Sequence, residues 1–246
     1  MPDDIWLLPL IAAIAFLGSL IFGLTGFGSA LVTIPLATHF VPLPFALAVF
    51  SLVDFSSALR IGLQNPKDAV LPEIVRLVPF ILAGTVIGVT LLVNLPREKG
   101  MLALGVFVLV YAVYALLSRP GTKIVSPHWA YLAGLMGGTT GTVFGAGGPP
   151  YAIYLSHRPL SKEQFRATLS LNLVVSLAMR ITAFAITGLM FKAEVGIAAV
   201  FAILAAMVGL SIASWAFKYV TREVLLRAVA ALLLVNGVSL ILRATA

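Results

Sequence analysis

The chain has 246 residues, 61% of them hydrophobic and only 10% charged, with a mean hydropathy of +1.09. A water-soluble protein of this length covers its surface with charge, so this composition excludes a soluble globular domain and makes lipid the natural solvent of most of the surface. The absence of cysteine excludes disulfides, thiolate metal sites and cysteine nucleophiles, and the net charge of +7 comes from short basic clusters between apolar runs, with no basic stripe that would suit nucleic acid.

Ten apolar segments are expected in chain order: 5–22, 26–40, 44–64, 72–95, 99–118, 128–143, 147–157, 163–189, 193–217 and 222–243. The first follows Asp3 and Asp4, without the positive n-region of a signal peptide, and is read as a retained segment. Spanning a bilayer takes about 20 apolar residues. The segments 26–40 and 147–157 are short for a full span and are read either as full spans or as half-helices that form a hairpin with the segment before, which leaves six to ten true spans. Trp6 and Trp129 stand near segment starts, where interfacial anchors belong.

Lys and Arg set the orientation. Arg60, Lys67, Arg76, Arg119, Lys123, Arg158, Lys162, Arg166, Lys218, Arg222 and Arg227 fall on one side, against Arg97, Lys99, Lys192 and Arg243 on the other. By the positive-inside rule this places both termini outside the cytoplasm.

The two halves, 1–120 and 121–246, read as repeats of one membrane domain. Gly26-Phe27-Gly28-Ser29 matches Gly145-Ala146-Gly147-Gly148, and Arg60 matches Arg180. Gly84 and Gly88 match Ala205 and Gly209, and Pro96-Arg97-Glu98 matches Thr221-Arg222-Glu223. Five segments per half is an odd number, so the halves are expected in opposite orientation, a recurring transporter design. The fold expected is an all-α integral membrane protein of two inverted repeats, each a glycine-rich broken-helix hairpin plus about three membrane helices.

The glycine-rich elements carry the chemistry. Gly and Pro crowd Gly137–Pro150, and a shorter run spans Gly23–Ser29. Such runs interrupt helices. A break followed by a new helix presents free N–H groups and a positive dipole end, which together suit an anion. Pro149 and Pro150 suit the first turn of the helix after the break. Close packing of small residues is the alternative use of these glycines, and it suffices for Gly84 and Gly88.

The Gly-Phe-Gly-Ser and Gly-Ala-Gly-Gly-Pro-Pro elements, one per half, resemble the paired glycine-rich motifs of the sulfite exporter TauE/SafE family. The resemblance covers nearly the whole chain. The first element departs from the family's usual run, with Ser29 and Ala30 where glycines are common. The resemblance implies a carrier in the cell inner membrane for sulfite or a small organosulfonate such as sulfoacetate.

Ionisable residues at membrane depth mark functional sites. Asp54 is central in 44–64, on a face with Ser51, Ser57 and Arg60. Thr168, Asn172, Ser176 and Arg180 recur every four residues in 163–189, a polar stripe expected to face the bundle interior. Arg180 suits an oxyanion, with an ion pair to Asp54 or snorkelling to the interface as its structural alternatives. Asn172 and Ser29 are candidate donors to the anion. Asp54 is the candidate for a coupling proton, or else a permanent partner of Arg60 or Arg180. The expected binding set is therefore Gly26, Gly28, Ser29, Gly145, Gly147, Gly148, Asn172 and Arg180, with Asp54 for proton coupling.

No triad order, paired-carboxylate site, P-loop or metal-ligand spacing is visible. His39, His128 and His157 stand near segment ends. The chain reads as a non-enzyme without metal or cofactor. Its expected partners are a small sulfur-containing anion and the bilayer, with a homodimer left open. The function expected is a secondary exporter working by alternating access, with proton coupling in view. An anion channel of the same fold and a non-transporting scaffold are the alternatives.

Overall fold

The structure is a computed structural model, and it describes residues 6–64, 66–94, 96–117 and 124–216, with 234–235, 238–239 and 241–242 beyond them. Among these residues all regular structure is helical. In chain order the helices are α1 (Leu7–Thr25), α2 (Ser29–Ala37), α3 (Leu43–Gly62), α4 (Leu71–Asn94), α5 (Arg97–Leu117), α6 (Trp129–Phe144), α7 (Gly148–Ser156), α8 (Lys162–Ile186) and α9 (Ala193–Ala216). A single 3-10 turn, Pro66–Asp68, precedes α4. The tenth apolar segment, 222–243, and the triplet Thr221-Arg222-Glu223 lie largely outside the described residues.

Five of these helices, α1, α3, α4, α8 and α9, are long and apolar enough to cross a membrane. Of the two readings left open for the short segments, the structure has the short helix. α2 and α7 have nine residues each. At 1.5 Å per residue such a helix covers about 13 Å of a hydrocarbon core about 30 Å thick.

Helix boundaries follow local chemistry. α8 opens on a capping box, in which the Ser161 hydroxyl accepts from the Gln164 N–H at 3.1 Å and the Gln164 side chain accepts from the Ser161 N–H at 3.0 Å. It stops at Thr187, just before Gly188, whose φ is +78°. α4 buries Ile74, Leu77, Ile81, Gly84 and Gly88 along one stripe and exposes Leu82, Val86 and Leu91. α9 likewise buries Ala198, Ala202, Ala206 and Gly209 and exposes Val200, Leu204 and Val208. Exposed apolar faces of this extent suit lipid and not water.

The helices pack in a swapped pattern. α1 packs chiefly on α9, and α6 chiefly on α4; α3 and α8 pack on each other, with α3 also against α9 and α8 against α4. Exchanging α1 with α6, α2 with α7, α3 with α8 and α4 with α9 maps these packings onto one another. Glycines make the close approaches. A Cβ on Gly84 would overlap the Leu135 carbonyl of α6, and a Cβ on Gly88 would come within 2.7 Å of Thr142 Cβ. On the other side, a Cβ on Gly209 would overlap Ser19 of α1. The packing expected for Gly84 and Gly88 is thus what the fold uses.

The matched pair Arg60 and Arg180 does not share an environment. Arg60 is exposed and donates to the Met207 carbonyl at 3.0 Å and to the Ser211 hydroxyl at 3.1 Å, both on α9. Arg180 is buried. Similar spacing along two helices does not set what each side chain meets.

Candidate functional site

Two helices break at a left-handed glycine, one after α1 and one after α6. α1 ends at Gly26, with φ +80°, whose N–H donates to the Phe22 carbonyl at 2.7 Å; Phe27 and Gly28, with φ +91°, lead into α2. α6 ends at Gly145, with φ +75°, and the Ala146 N–H donates to the Thr140 carbonyl at 3.2 Å. Gly147 then leads into α7, whose first turn holds Pro149 and Pro150. Gly26, Gly28 and Gly145 occupy left-handed backbone that a side chain strains. Gly147 does not; a Cβ there would lie 2.7 Å from the Gly137 carbonyl and 3.2 Å from Gly141 Cα, so its smallness serves the contact with α6.

The two breaks touch. A Cβ on Gly148 would stand 3.0 Å from Phe27 Cβ, and one on Gly145 would stand 2.9 Å from Ile34 Cγ1. Between them lies a cavity of about 30 Å³. The breaks contribute Gly28, Ser29, Gly145, Gly147 and Gly148 to its wall. Asp54 from α3 and Ser176 and Arg180 from α8 complete the polar lining, within an apolar shell that includes Phe22, Phe27 and Leu177.

Arg180 is 4% exposed and donates from one terminal nitrogen to the Gly141 carbonyl of α6, while its Nε has no partner. Asp54, 5% exposed, accepts from the Ser29 hydroxyl at 2.6 Å. Its hydrogen bond is to Ser29, and it forms no ion pair with Arg60 or Arg180. The permanent pairing considered for Asp54 and Arg180 is therefore not adopted, and a guanidinium with an unpartnered Nε lines a cavity that also holds a carboxylate. The single hydroxyl proton of Ser29 goes to Asp54 and is not free for an anion in this state.

Two of the expected binding residues stand apart from the cavity. Gly26 has nothing within 4 Å of where a Cβ would sit, and its role is to turn the chain at the end of α1. Asn172 is 0% exposed, lies outside the cavity wall, and has no partner for either side-chain polar atom. The polar stripe it belongs to is buried as expected: Thr168, Ser176 and Arg180 are 0%, 7% and 4% exposed.

Sequence reasoning missed two features. Tyr151, fully buried on α7, hydrogen-bonds Ser176 at 3.0 Å beside the cavity. Glu73, 4% exposed, is held by Arg158, Arg76 and the Tyr154 hydroxyl. Glu73 had only the signal of an acid at a helix start next to Arg76. Its main partner lies 85 positions away. Among the described residues no three His, Asp or Glu side chains are grouped so as to hold a metal ion.

A model of the sulfite exporter TauE/SafE family matches residues 11–240. The chain belongs to this family. The match takes in both broken hairpins and every residue of the cavity wall. No curated protein and no solved structure matches the chain. As a TauE/SafE protein it is a multi-pass membrane transporter of the anion-exporter class.

Proposed function

We propose that this protein is a secondary carrier that exports sulfite or a small organosulfonate such as sulfoacetate, holding the anion between the tips of its two broken hairpins. The observation that carries this reading is the convergence, on one cavity, of the N-termini of α2 and α7 and of Arg180, a buried guanidinium whose Nε is unpartnered. The start of α2 offers unpaired N–H groups, the start of α7 offers those of Gly147 and Gly148 ahead of Pro149 and Pro150, which have none, and each start carries a fraction of a positive charge. A guanidinium adds directed donors that match oxygens spread over a sulfur centre. The apolar shell withdraws the site from water, which strengthens all of these contacts.

Asp54 is the candidate coupling group. An ionised carboxylate beside the cavity repels a second negative charge. Protonation removes that repulsion and releases the Ser29 hydroxyl to donate elsewhere. Anion binding then favours proton uptake, which links the two flows.

Alternating access follows from two halves, 1–120 and 121–246, related by inversion and rocking about the shared cavity. The swapped packing of α1 on α9 and α6 on α4 supports it, since each half is held by the other. The membrane is the cell inner membrane, and the distribution of Lys and Arg supports termini outside the cytoplasm.

The test is flux in proteoliposomes loaded with sulfite, sulfoacetate or acetate, with and without a pH gradient. Saturable movement of a sulfur anion that responds to the gradient and is lost in Arg180→Ala supports the reading. Flux that never saturates indicates a channel, and flux of acetate alone overturns the substrate class.

A further inference from the structure

Thr168, Asn172, Ser176 and Arg180 form one buried face of α8, and three of the four are partnered. Thr168 accepts from the Val70 N–H at 2.9 Å, Ser176 meets the Tyr151 hydroxyl at 3.0 Å, and Arg180 donates to Gly141. Asn172 alone has an unpartnered donor and an unpartnered acceptor at 0% exposure. A buried amide left in this state is unfavourable for folding, and an apolar residue would pack there at less cost. Its presence points to a ligand that visits.

The surroundings of Asn172 show where such a ligand would go. α7 runs back along α8 with Tyr151 opposite Ser176. One turn further along α7, Tyr154 donates to Glu73, three residues from the Val70 that bonds Thr168. These two contacts fix the register and put Asn172 at the level of Tyr154, midway between the cavity and the Thr168 end of the stripe. At that end Glu73 is held by Arg158 Nε at 3.0 Å and Arg76 at 3.1 Å, and Arg158 also donates to the Val125 carbonyl at 2.7 Å. Arg76 is the more open of the two, its side chain 41% exposed against 12% for Arg158. The cluster thus has two cations for one carboxylate. From Thr168 to Arg180 the stripe itself carries no acid, and each of its steps is about 6 Å.

We propose that this face of α8 is the route between the cavity and the membrane face that carries Arg76 and Arg158, with Asn172 as an intermediate contact for the anion and the Glu73 cluster as the gate. An arriving anion exchanges for Glu73 on Arg158 and opens the path. The proposal rests on the anion-transport reading above and adds the path and its gate to it.

The chain's lack of cysteine makes the path testable. Asn172→Cys and Ser176→Cys are treated in proteoliposomes with the anionic reagent 2-sulfonatoethyl methanethiosulfonate, with Ala178→Cys, on the exposed face of the same helix, as control. Modification of a thiol needs water to ionise it, so the two path positions are expected to react at least about tenfold faster than the control. Glu73→Gln, or Tyr154→Phe if the first does not fold, is expected to speed modification at 172 further. Reaction at 172 no faster than at 178 in every background overturns the path. Rapid reaction at 172 in a protein that moves neither sulfite nor sulfoacetate keeps the path and discards the substrate reading. Asn172→Leu is expected to keep sulfoacetate binding while its flux falls about tenfold, the loss of one hydrogen-bonded contact during passage. Wild-type flux in Asn172→Leu, or loss of binding together with flux, overturns the role of intermediate contact.

Discussion

Arg180 is the residue on which the proposed site turns, because it lines the cavity, is buried, is tied to α6 by one nitrogen and keeps an unpartnered Nε. A hydrogen bond to a charged group is worth about 1.5–3 kcal/mol, so Arg180→Ala is expected to weaken sulfite or sulfoacetate binding by about ten- to a hundredfold, read by calorimetry on purified protein. Arg180→Lys keeps the charge but loses the planar fork, and an intermediate affinity is expected. Asp54→Asn keeps an acceptor for the Ser29 hydroxyl while removing the titratable group. Its flux is expected to persist and to stop responding to a pH gradient; a retained response places coupling elsewhere. Both residues were legible in the sequence as ionisable groups inside apolar segments. Their relation was not, since whether Asp54 meets Arg60, Arg180 or Ser29 depends on how α2, α3 and α8 are brought together.

At the scale of elements, the glycines of the two hairpins divide by physical role. Gly26 has left-handed backbone and open space around it. Gly26→Ala is therefore expected to cost about 1–2 kcal/mol of stability through backbone strain, with transport by the folded fraction intact. Gly138 lies against α4, where a Cβ would overlap the Ile81 carbonyl and stand 3.0 Å from the Thr85 nitrogen. Gly138→Val wedges α4 from α6 and is expected to lower the melting temperature in detergent more than Gly26→Ala does. Gly148→Val pushes on Phe27 across the cavity, so flux is expected to fall further than stability. Equal losses in both would make Gly148 a packing residue alone. Composition revealed that the backbone breaks within 137–150, because crowded Gly and Pro disfavour a continuous helix. It could not separate a glycine needed for φ from one needed for space, since the neighbour that would clash with a Cβ belongs to another helix.

At the scale of the molecule, the swapped pairing makes α1–α9 and α4–α6 two versions of one contact. Cysteines in place of Lys99 and Lys192 are expected to react with an impermeant maleimide added to intact cells, and one in place of Lys67 only after permeabilisation. All three positions are exposed in the structure. The reverse pattern inverts the topology without touching the site.

The sequence by itself determined that this protein lives in lipid, that its secondary structure is helical, where helices start and break, and which family it belongs to. These properties are local: they depend on runs of apolar residues, on the conformational limits of Gly and Pro, and on motifs a few residues long. Tertiary structure decided the rest. It brought the breaks at 26–28 and 145–147 to one cavity, gave Asp54 to Ser29 and left Arg180 a free donor. It also buried Glu73 beneath Arg158 and set Asn172 apart from the cavity it was expected to line. Each of these is a contact between side chains far apart in the chain, and its partner is fixed by the packing of whole helices and not by any neighbouring residue.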